Sequence, residues 1–157
     1  MFKTNSGRKI TYYGQEYGDE ITRKSQSNNN KINTLNELFG ILLKAWYRDT
    51  AYPSAQKDPE YNKDNDPTYG QCAITATLVY DMFGGTIHKI RVDGGGTHYF
   101  NKINGHYIDL TSDQFELYNI PVKYEPNQEM GREYCGKNTD TLKRFNLLKE
   151  EIAKLLS

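Results

Sequence analysis

The sequence has no excess charge of either sign and no long apolar run. Its 20 basic and 20 acidic residues give a formal net charge of zero over 157 residues. This balance argues against a general binder of nucleic acid, because that function needs a basic surface. No apolar stretch reaches the roughly 18 residues of a membrane-spanning helix, so no membrane association is predicted. The N-terminal sequence MFKTNSGRKITYYGQ also lacks the apolar core of a secretory signal peptide.

Cysteine is scarce, with two in the chain. Two cysteines without a secretion signal do not form a disulfide framework, so we expect reduced thiols and a cytoplasmic protein. The three histidines and the second cysteine match no common zinc-binding spacing, and no metal or other cofactor is predicted (His88, His98, His106, Cys135). Cys135 is interpreted as a bystander in a polar loop, with a redox role left open. The sequence does not predict the oligomeric state.

The length fits one domain with a real core. Residues 1–33 are polar, and SQSNNNK (25–31) has low complexity, so a short strand, a docking segment and disorder are all open for this segment. We predict that the compact domain covers residues 34–157. In the long polar stretch that follows its first helix, DNDP resembles a calcium loop, but the later carboxylates do not fit, and an Asx turn is predicted instead.

Helical periodicity marks three segments. TLNELFGILLKAW (34–46) opens with a capping box of Thr34 and Glu37. CAITATLVYDMF (72–83) is apolar nearly all round and is closed by Gly84-Gly85. TDTLKRFNLLKEEIAKLLS (139–157) is amphipathic. A strand is predicted at TIHKIRV (86–92), and residues 112–138 are predicted to be mostly loop, with one edge strand around PVKYE (121–125). The fold class is therefore α+β, with helices packed on a small, mainly antiparallel sheet.

Asn104-Gly105 is the strongest local signal in the chain. THYFNKI and HYIDLT flank this pair, which is typical of a two-residue type I′ hairpin turn. A turn of that length pairs Ile103 with His106. Counting outward then pairs residue 102 with 107, 101 with 108 and 100 with 109.

This register predicts which side chains share a face of the sheet. Phe100 and Asp109 lie on one face because side chains alternate along each strand. His98, two residues before Phe100, lies on the same face and is a diagonal neighbour of Asp109, within reach of a hydrogen bond. His106 falls on the opposite face.

Cys72 is the first residue of the second predicted helix. The helix dipole and the free N–H groups at that position favour a thiolate, the nucleophilic form of cysteine. His98 could take the thiol proton, and Asp109 could orient the His98 ring. The backbone N–H of Cys72 is a natural oxyanion donor, and Gln71 or a polar group of the preceding loop could supply a second.

Each of these residues also has a structural interpretation. Cys72 taken alone is typical of a buried core cysteine. His98 could be a half-buried strand residue, and Asp109 could close a turn before Thr111. Their joint placement by the hairpin register favours the functional interpretation.

Two motifs resemble a known superfamily. YGQC followed by a helix of small and apolar residues is similar to the active-site motif of transglutaminase-like proteins, in which a GQC-type cysteine opens a core helix. HYFNK and then GHYIDLT resemble the later pattern of that superfamily, a His followed by an aromatic and a strand ending in Asp and Thr. GQCAITATLVYDMFGG, HYFNKINGHYIDLTSDQF and the preceding helix ending in Trp46 resemble most closely the small bacterial YunG-like family, over roughly residues 35–150.

The resemblance implies a papain/transglutaminase-like fold with Cys72 as nucleophile, His98 as base and Asp109 as orienting group. It also implies that residues 48–69 and the DGGG segment (93–96) border the cleft. The candidate oxyanion and substrate-binding residues are Gln71, Tyr69, Gly95, Gly96 and Trp46. The expected function is acyl transfer through a thioester, acting on an amide of a peptide, a protein or a small molecule. The alternative is a catalytically silent protein-binding module on the same fold.

Overall fold

The computed structural model describes residues 1–24, 31–93 and 96–157. In these residues the chain folds as an α+β protein, as predicted. The helices are α1 (Leu35–Ala45), α2 (Pro53–Gln56), α3 (Cys72–Phe83), α4 (Asp113–Glu116), α5 (Glu133–Lys137) and α6 (Thr139–Leu156). The strands are β1 (Phe2–Lys3), β2 (Lys9–Ile10), β3 (Thr86–Val92), β4 (Gly96–Ile103), β5 (His106–Ile108) and β6 (Gln128–Met130). The predicted low-complexity segment, apart from Lys31, and Gly95 lie outside the described residues.

Helix α1 forms as the sequence predicts. The Thr34 side chain accepts from the Glu37 backbone N–H at 3.1 Å, and the Glu37 carboxylate accepts from the Thr34 N–H at 3.2 Å. This capping box satisfies two backbone groups at the helix start. The apolar face of the helix is fully buried at Leu35, Leu38, Phe39 and Leu42.

Helix α3 is the central helix and packs against α6 and the sheet. It is buried along most of its length, in agreement with its nearly continuous apolar sequence. Gly84 ends the helix with φ +83, and Gly85 follows with φ +74. A Cβ on Gly85 would lie 2.2 Å from the Lys102 carbonyl oxygen, so the turn out of α3 brings its backbone directly against β4. No helix among the described residues has the length and apolar character needed to cross a membrane.

The main sheet has four antiparallel strands in the order β5-β4-β3-β6. Asn104 and Gly105 form the connecting turn with φ 53 and 82, as a type I′ turn requires. The predicted hairpin register is confirmed for three pairs, Ile103 with His106, residue 102 with 107 and residue 101 with 108. The ladder ends before the predicted fourth pair, residue 100 with 109, and Asp109 forms a β-bridge with Tyr13.

The edge strand of this sheet is not where the sequence predicted it. It is β6, at Gln128–Met130, and not residues 121–125. Val122 and Tyr124 instead pack across the face of the sheet, against a small apolar cluster that includes Phe100 and Phe115. Burial of these two side chains on the sheet face therefore takes the segment away from the sheet edge.

The N-terminal segment, for which the sequence leaves a strand, a docking segment and disorder open, packs on the rest of the protein. The described residues 1–24 are ordered against the core, with Ile10, Tyr12 and Ile21 each no more than 3% exposed. The Tyr12 ring lies 4.7 Å from that of Phe39 in α1. Tyr13 forms a β-bridge with Asp109, directly after β5. Residues 1–24 and the predicted domain at 34–157 thus share one core, because a few apolar side chains in a polar segment pack against α1 and the sheet.

The packing of this segment can be tested at two glycines. Gly14 has φ +94, and a Cβ there would lie 2.7 Å from the Tyr107 carbonyl oxygen and 2.6 Å from Ile108. We expect Gly14→Ala to lower the free energy of unfolding by about 2–4 kcal/mol, from left-handed strain and from the clash with β5. The control is Gly7→Ala. Gly7 has φ +90, but a Cβ there would have no atom within 4 Å, so this variant should lose only the backbone strain energy of about 1–2 kcal/mol. Urea unfolding measures the free energy of unfolding of both variants. Equal losses in the two would contradict the contact between residues 1–24 and β5.

Candidate active site

A buried hydrogen bond joins His98 and Asp109. The Nε2 of His98 lies 2.7 Å from the Oδ2 of Asp109, and each side chain is 1% exposed. His98 is in β4, and Asp109 directly follows β5, so the hairpin register brings them together as predicted. The edge of the Phe115 ring packs against the His98 ring at 4.7 Å, which excludes water from this pair.

Asp109 is held by donors from three parts of the chain. Its Oδ1 accepts from the backbone N–H of Thr111 at 3.1 Å and from the Thr111 hydroxyl at 3.3 Å. Its Oδ2 accepts from the Tyr124 hydroxyl at 2.8 Å as well as from His98. Its backbone N–H donates to the Tyr13 carbonyl at 3.0 Å. The Asp109 carboxylate therefore has four hydrogen-bond partners, which fix its orientation.

Cys72 begins α3 and lies beside β4 at a place where the sheet is open. Strand β5 pairs only with residues 101–103, so the first half of β4 has no strand on that side. By the alternation of an antiparallel ladder, the backbone N–H of Tyr99 points to the same side as β5. That N–H lies close to the Cys72 sulfur, where it favours the thiolate form. The short β5 therefore leaves a backbone donor free for the sulfur.

The thiol and the imidazole change each other's pKa. Burial raises the pKa of Cys72, but the His98 ring and the Tyr99 N–H outweigh burial and leave that pKa below its ordinary value. Burial also lowers the pKa of His98, while the Asp109 carboxylate and the Cys72 sulfur raise it, to about 10. Both shifts favour a thiolate beside an imidazolium.

The two ring nitrogens of His98 have different surroundings. Nε2 is bound to Asp109. Nδ1 is buried and, within the described residues, has no hydrogen-bond partner. Nδ1 is thus the nitrogen that remains for proton exchange with the thiol, and Asp109 fixes the orientation of the ring from the other side.

Two of the predicted binding residues are not in the cavity wall. Gln71 is fully buried; its Oε1 accepts from the Thr50 hydroxyl at 2.8 Å, and its Nε2 donates to the Tyr47 carbonyl at 3.1 Å. Trp46 is also fully buried, and its indole N–H donates to the Thr75 hydroxyl at 2.9 Å. These polar groups instead hold α3 to the end of α1 and the segment that follows it, and a part for Gln71 or Trp46 in binding stays a prediction.

A cavity of about 770 Å³ opens beside Cys72 and His98. Tyr69 and Gly96 lie in its wall, in agreement with the expectation that residues 48–69 and the DGGG segment border a cleft. The backbone N–H of Cys72 lies in the first turn of α3, where the helix itself offers no acceptor. That N–H is the candidate oxyanion donor.

Sequence reasoning missed four contributors to the site. The Gln114 side chain is in the cavity wall, and its Oε1 accepts from the Gly70 N–H at 3.4 Å. The Tyr134 hydroxyl donates to the Ala73 carbonyl at 2.6 Å, and its ring stacks on that of Tyr99 at 4.8 Å. No local sequence pattern marks Gln114, Tyr124 or Tyr134 as part of the site. The direction of the Tyr99 N–H, in contrast, could be predicted from the hairpin register once the length of β5 is known.

The side chains of the other two histidines, His88 and His106, have partners outside the candidate site. His88 forms hydrogen bonds with Thr86 at 2.7 Å and with Asn127 at 2.8 Å. The His106 ring stacks on Tyr17 at 3.7 Å, on the face of the hairpin opposite to His98. Across the described ranges, no group of three His, Cys, Asp or Glu side chains could hold a metal ion.

Fold and site together define an α+β protein with a half-buried cysteine at a helix start beside a buried His–Asp pair. The family model described as "YunG protein" matches residues 34–157. The chain therefore belongs to the YunG family.

One curated relative is the "Uncharacterized protein YunG" of Bacillus subtilis (strain 168), which is 48% identical over 85 residues. That stretch covers 54% of this chain and 64% of the relative. It is thus less than two thirds of the length of that relative. No solved structure matches the chain.

The lowered pKa of Cys72 can be tested by alkylation with iodoacetamide across pH, followed by peptide mass spectrometry. Because the thiolate is the reacting form, we expect an apparent pKa below the ordinary value of 9.0. His98→Ala removes the imidazole but not the burial, so the apparent pKa should rise and labelling at pH 7 should slow at least about tenfold. Cys135, which is fully buried, is the internal control and stays unlabelled in the native protein. The same apparent pKa in both proteins would show that His98 does not act on the thiol.

The hydroxyl of Tyr124 offers a second test. Tyr124→Phe removes a donor to the buried Asp109 carboxylate, so we expect a loss of about 1–3 kcal/mol in the free energy of unfolding. Tyr107→Phe is the matched control, because that hydroxyl donates at 2.6 Å to Glu125, an exposed partner; its loss should stay below about 1 kcal/mol. Thermal or urea unfolding at neutral pH measures the loss in the free energy of unfolding for each variant. If Tyr107→Phe costs as much, the Tyr124 bond has no special part in holding Asp109.

Proposed function

We propose that this protein is a cysteine-dependent acyl-transfer enzyme that works through a thioester on Cys72. The observation that carries the proposal is the arrangement of His98, whose Nε2 is bound to buried Asp109 while its Nδ1 is left unpaired near the thiol. A nucleophile, a base and a group that orients the base are the parts that covalent acyl transfer needs. The resemblance of the YGQC and HYFNK motifs to transglutaminase-like proteins supports the same chemistry and a papain/transglutaminase-like fold.

The acylation step follows from these roles. The thiolate of Cys72 attacks the carbonyl carbon of an amide or ester, and the C–S bond forms as the carbonyl oxygen becomes an oxyanion. The backbone N–H of Cys72 faces that oxygen. When the tetrahedral intermediate collapses, the bond to the leaving group breaks, and His98 Nδ1 gives its proton to the departing amine or alcohol. A thioester remains on Cys72.

The deacylation step reverses the proton path. Water, or an amine, attacks the thioester carbonyl while His98 Nδ1 accepts the proton of the attacking group. The C–S bond then breaks, the acid or new amide leaves, and the thiolate of Cys72 returns beside the imidazolium. Asp109 holds the His98 ring in place in both steps through its hydrogen bond to Nε2.

The substrate class is an amide of a peptide, a protein or a small molecule. The cavity of about 770 Å³ is in the range of sites that take a small molecule or a few residues of a peptide. Its walls come from residues 52–73, β4, α4 and the segment around α5 and α6.

An activated ester tests the proposal without knowledge of the natural substrate. With p-nitrophenyl acetate we expect one acetyl group on Cys72, detected by mass spectrometry, followed by continued release of p-nitrophenol. His98→Ala should slow acetylation about a hundredfold or more, the usual contribution of a general base. The matched control is His106→Ala, the same substitution on the opposite face of the hairpin, which should leave the rate unchanged.

Two results would overturn the proposal. One is acetylation at residues other than Cys72, and the other is an equal rate in the protein with and without His98. Either would favour the catalytically silent protein-binding module on the same fold, in which Cys72 is a wall residue of a binding cleft.

A further inference from the structure

One end of the cavity is acidic. Asp58, Glu60 and Asp66 all lie in its wall. The Tyr69 hydroxyl donates to Asp58 Oδ2 at 3.1 Å, and the Tyr118 hydroxyl donates to Asp66 Oδ2 at 3.0 Å. Electrostatic interactions link Tyr69 with Asp66 and Tyr118 with Glu60, so the five groups form one cluster. We call it the acidic end.

Asp66 has an unused acceptor. The residue is 7% exposed, and its buried Oδ1 has no hydrogen-bond partner within the described residues. Buried carboxylate oxygens are normally satisfied, so an orphaned one in a cavity wall points to a missing donor. Burial and the charge of Asp113 raise the pKa of Asp66, to about 6, although the Tyr118 bond and Arg8 act against this. A cation bound at Oδ1 would stabilise the ionised form.

Two arginines close to this cluster are already engaged. Arg8 is not in the cavity wall, and its guanidinium donates to both Asp113 oxygens at 3.0 and 2.7 Å. Arg48 lies over the Tyr61 ring at 4.7 Å and donates to the Gln56 carbonyl.

Arg144 is the cation that does reach the cavity wall. Its guanidinium donates to Asp140 at 2.8 Å and to the Thr50 carbonyl at 3.2 Å. Among the described residues, the cavity wall therefore has three carboxylates and one guanidinium, and that guanidinium is already bound to Asp140 and to the Thr50 carbonyl.

We propose that the acidic end binds an alkylammonium group of the substrate, with Asp66 as its main partner. The inference rests on the proposed acyl transfer at Cys72, and it names the substrate class of that same site. The aromatic rings of Tyr69 and Tyr118 can pack against the alkyl chain of such a group, and the faces of these rings attract its positive charge. The ammonium can belong to a lysine-like side chain of the acyl donor or to a diamine whose second, neutral amine accepts the acyl group.

Charge-selective labelling of Cys72 tests the acidic end. Aminoalkyl methanethiosulfonates with increasingly long arms are compared with neutral alkyl methanethiosulfonates of equal length. We expect the cationic reagents to react faster at one best arm length, and Asp66→Asn to lower that ratio about fivefold, as the loss of one ion pair would. Asp64→Asn removes the same charge from an exposed neighbour outside the cavity wall and should leave the ratio unchanged. A ratio that does not change in Asp66→Asn overturns the inference.

A binding measurement separates this inference from the proposed function. Calorimetry of n-pentylamine with Cys72→Ser, which needs no reactive thiol, should show binding that is lost on adding Asp66→Asn and kept with Asp64→Asn. Pentanol is the neutral control and should not bind. A thiol of ordinary pKa together with Asp66-dependent binding defeats the acyl-transfer proposal and keeps the cation site. An activated thiol without such binding defeats the cation site alone.

The two sources of the ammonium are distinguished with the acetyl thioester on Cys72. If the ammonium belongs to the acyl acceptor, a diamine such as cadaverine, whose second, neutral amine attacks the thioester while His98 takes its proton, should be acetylated faster than n-pentylamine, through Asp66. If the ammonium belongs to the acyl donor, the p-nitrophenyl ester of 6-aminohexanoic acid should acylate faster than that of hexanoic acid, again through Asp66. An absence of both effects would overturn the assigned substrate class.

Discussion

The hydrogen bond between His98 and Asp109 is the interaction on which the rest of the site depends. Both groups are almost completely buried, and moving charged groups out of water is expensive unless they are paired and hydrogen-bonded. The protein supplies that compensation from distant segments, with Thr111 and Tyr124 on the carboxylate and Tyr13 on the backbone. The 111–124 segment is thus held at the site by the Asp109 carboxylate, and the N-terminal segment by the backbone N–H of the same residue.

The length of β5 is the second constraint. A longer β5 would pair with all of β4 and would consume the backbone N–H of Tyr99. Because β5 ends at Ile108 and Asp109 bridges to Tyr13, the edge of β4 stays open and α3 can begin there. Cys72 then meets a backbone donor, an imidazole and a cavity in one place. The position of a short strand end therefore decides whether this cysteine is a core residue or a candidate nucleophile.

The parts of the site that sequence could predict depend on local geometry. The Asn104-Gly105 turn fixes the hairpin register, and the register places His98 and Asp109 on one face without any other knowledge of the fold. The start of α3 at Cys72 follows equally from helical patterning. The burial of Gln71 and Trp46 outside the cavity wall could not be predicted, because it depends on tertiary contacts with Tyr47, Thr50 and Thr75. The ordering of residues 1–24 and the contribution of Tyr124 are tertiary effects of the same kind.

Helix α4 connects the recognition and chemical parts of the site. Its consecutive residues contact three different regions: Asp113 binds Arg8, Gln114 accepts from Gly70, and Phe115 packs on the His98 ring. Tyr118, at the end of the same segment, donates to Asp66. A ligand at the proposed cation site would lie next to the segment that covers His98, because Tyr118 and Phe115 belong to the same short stretch of chain.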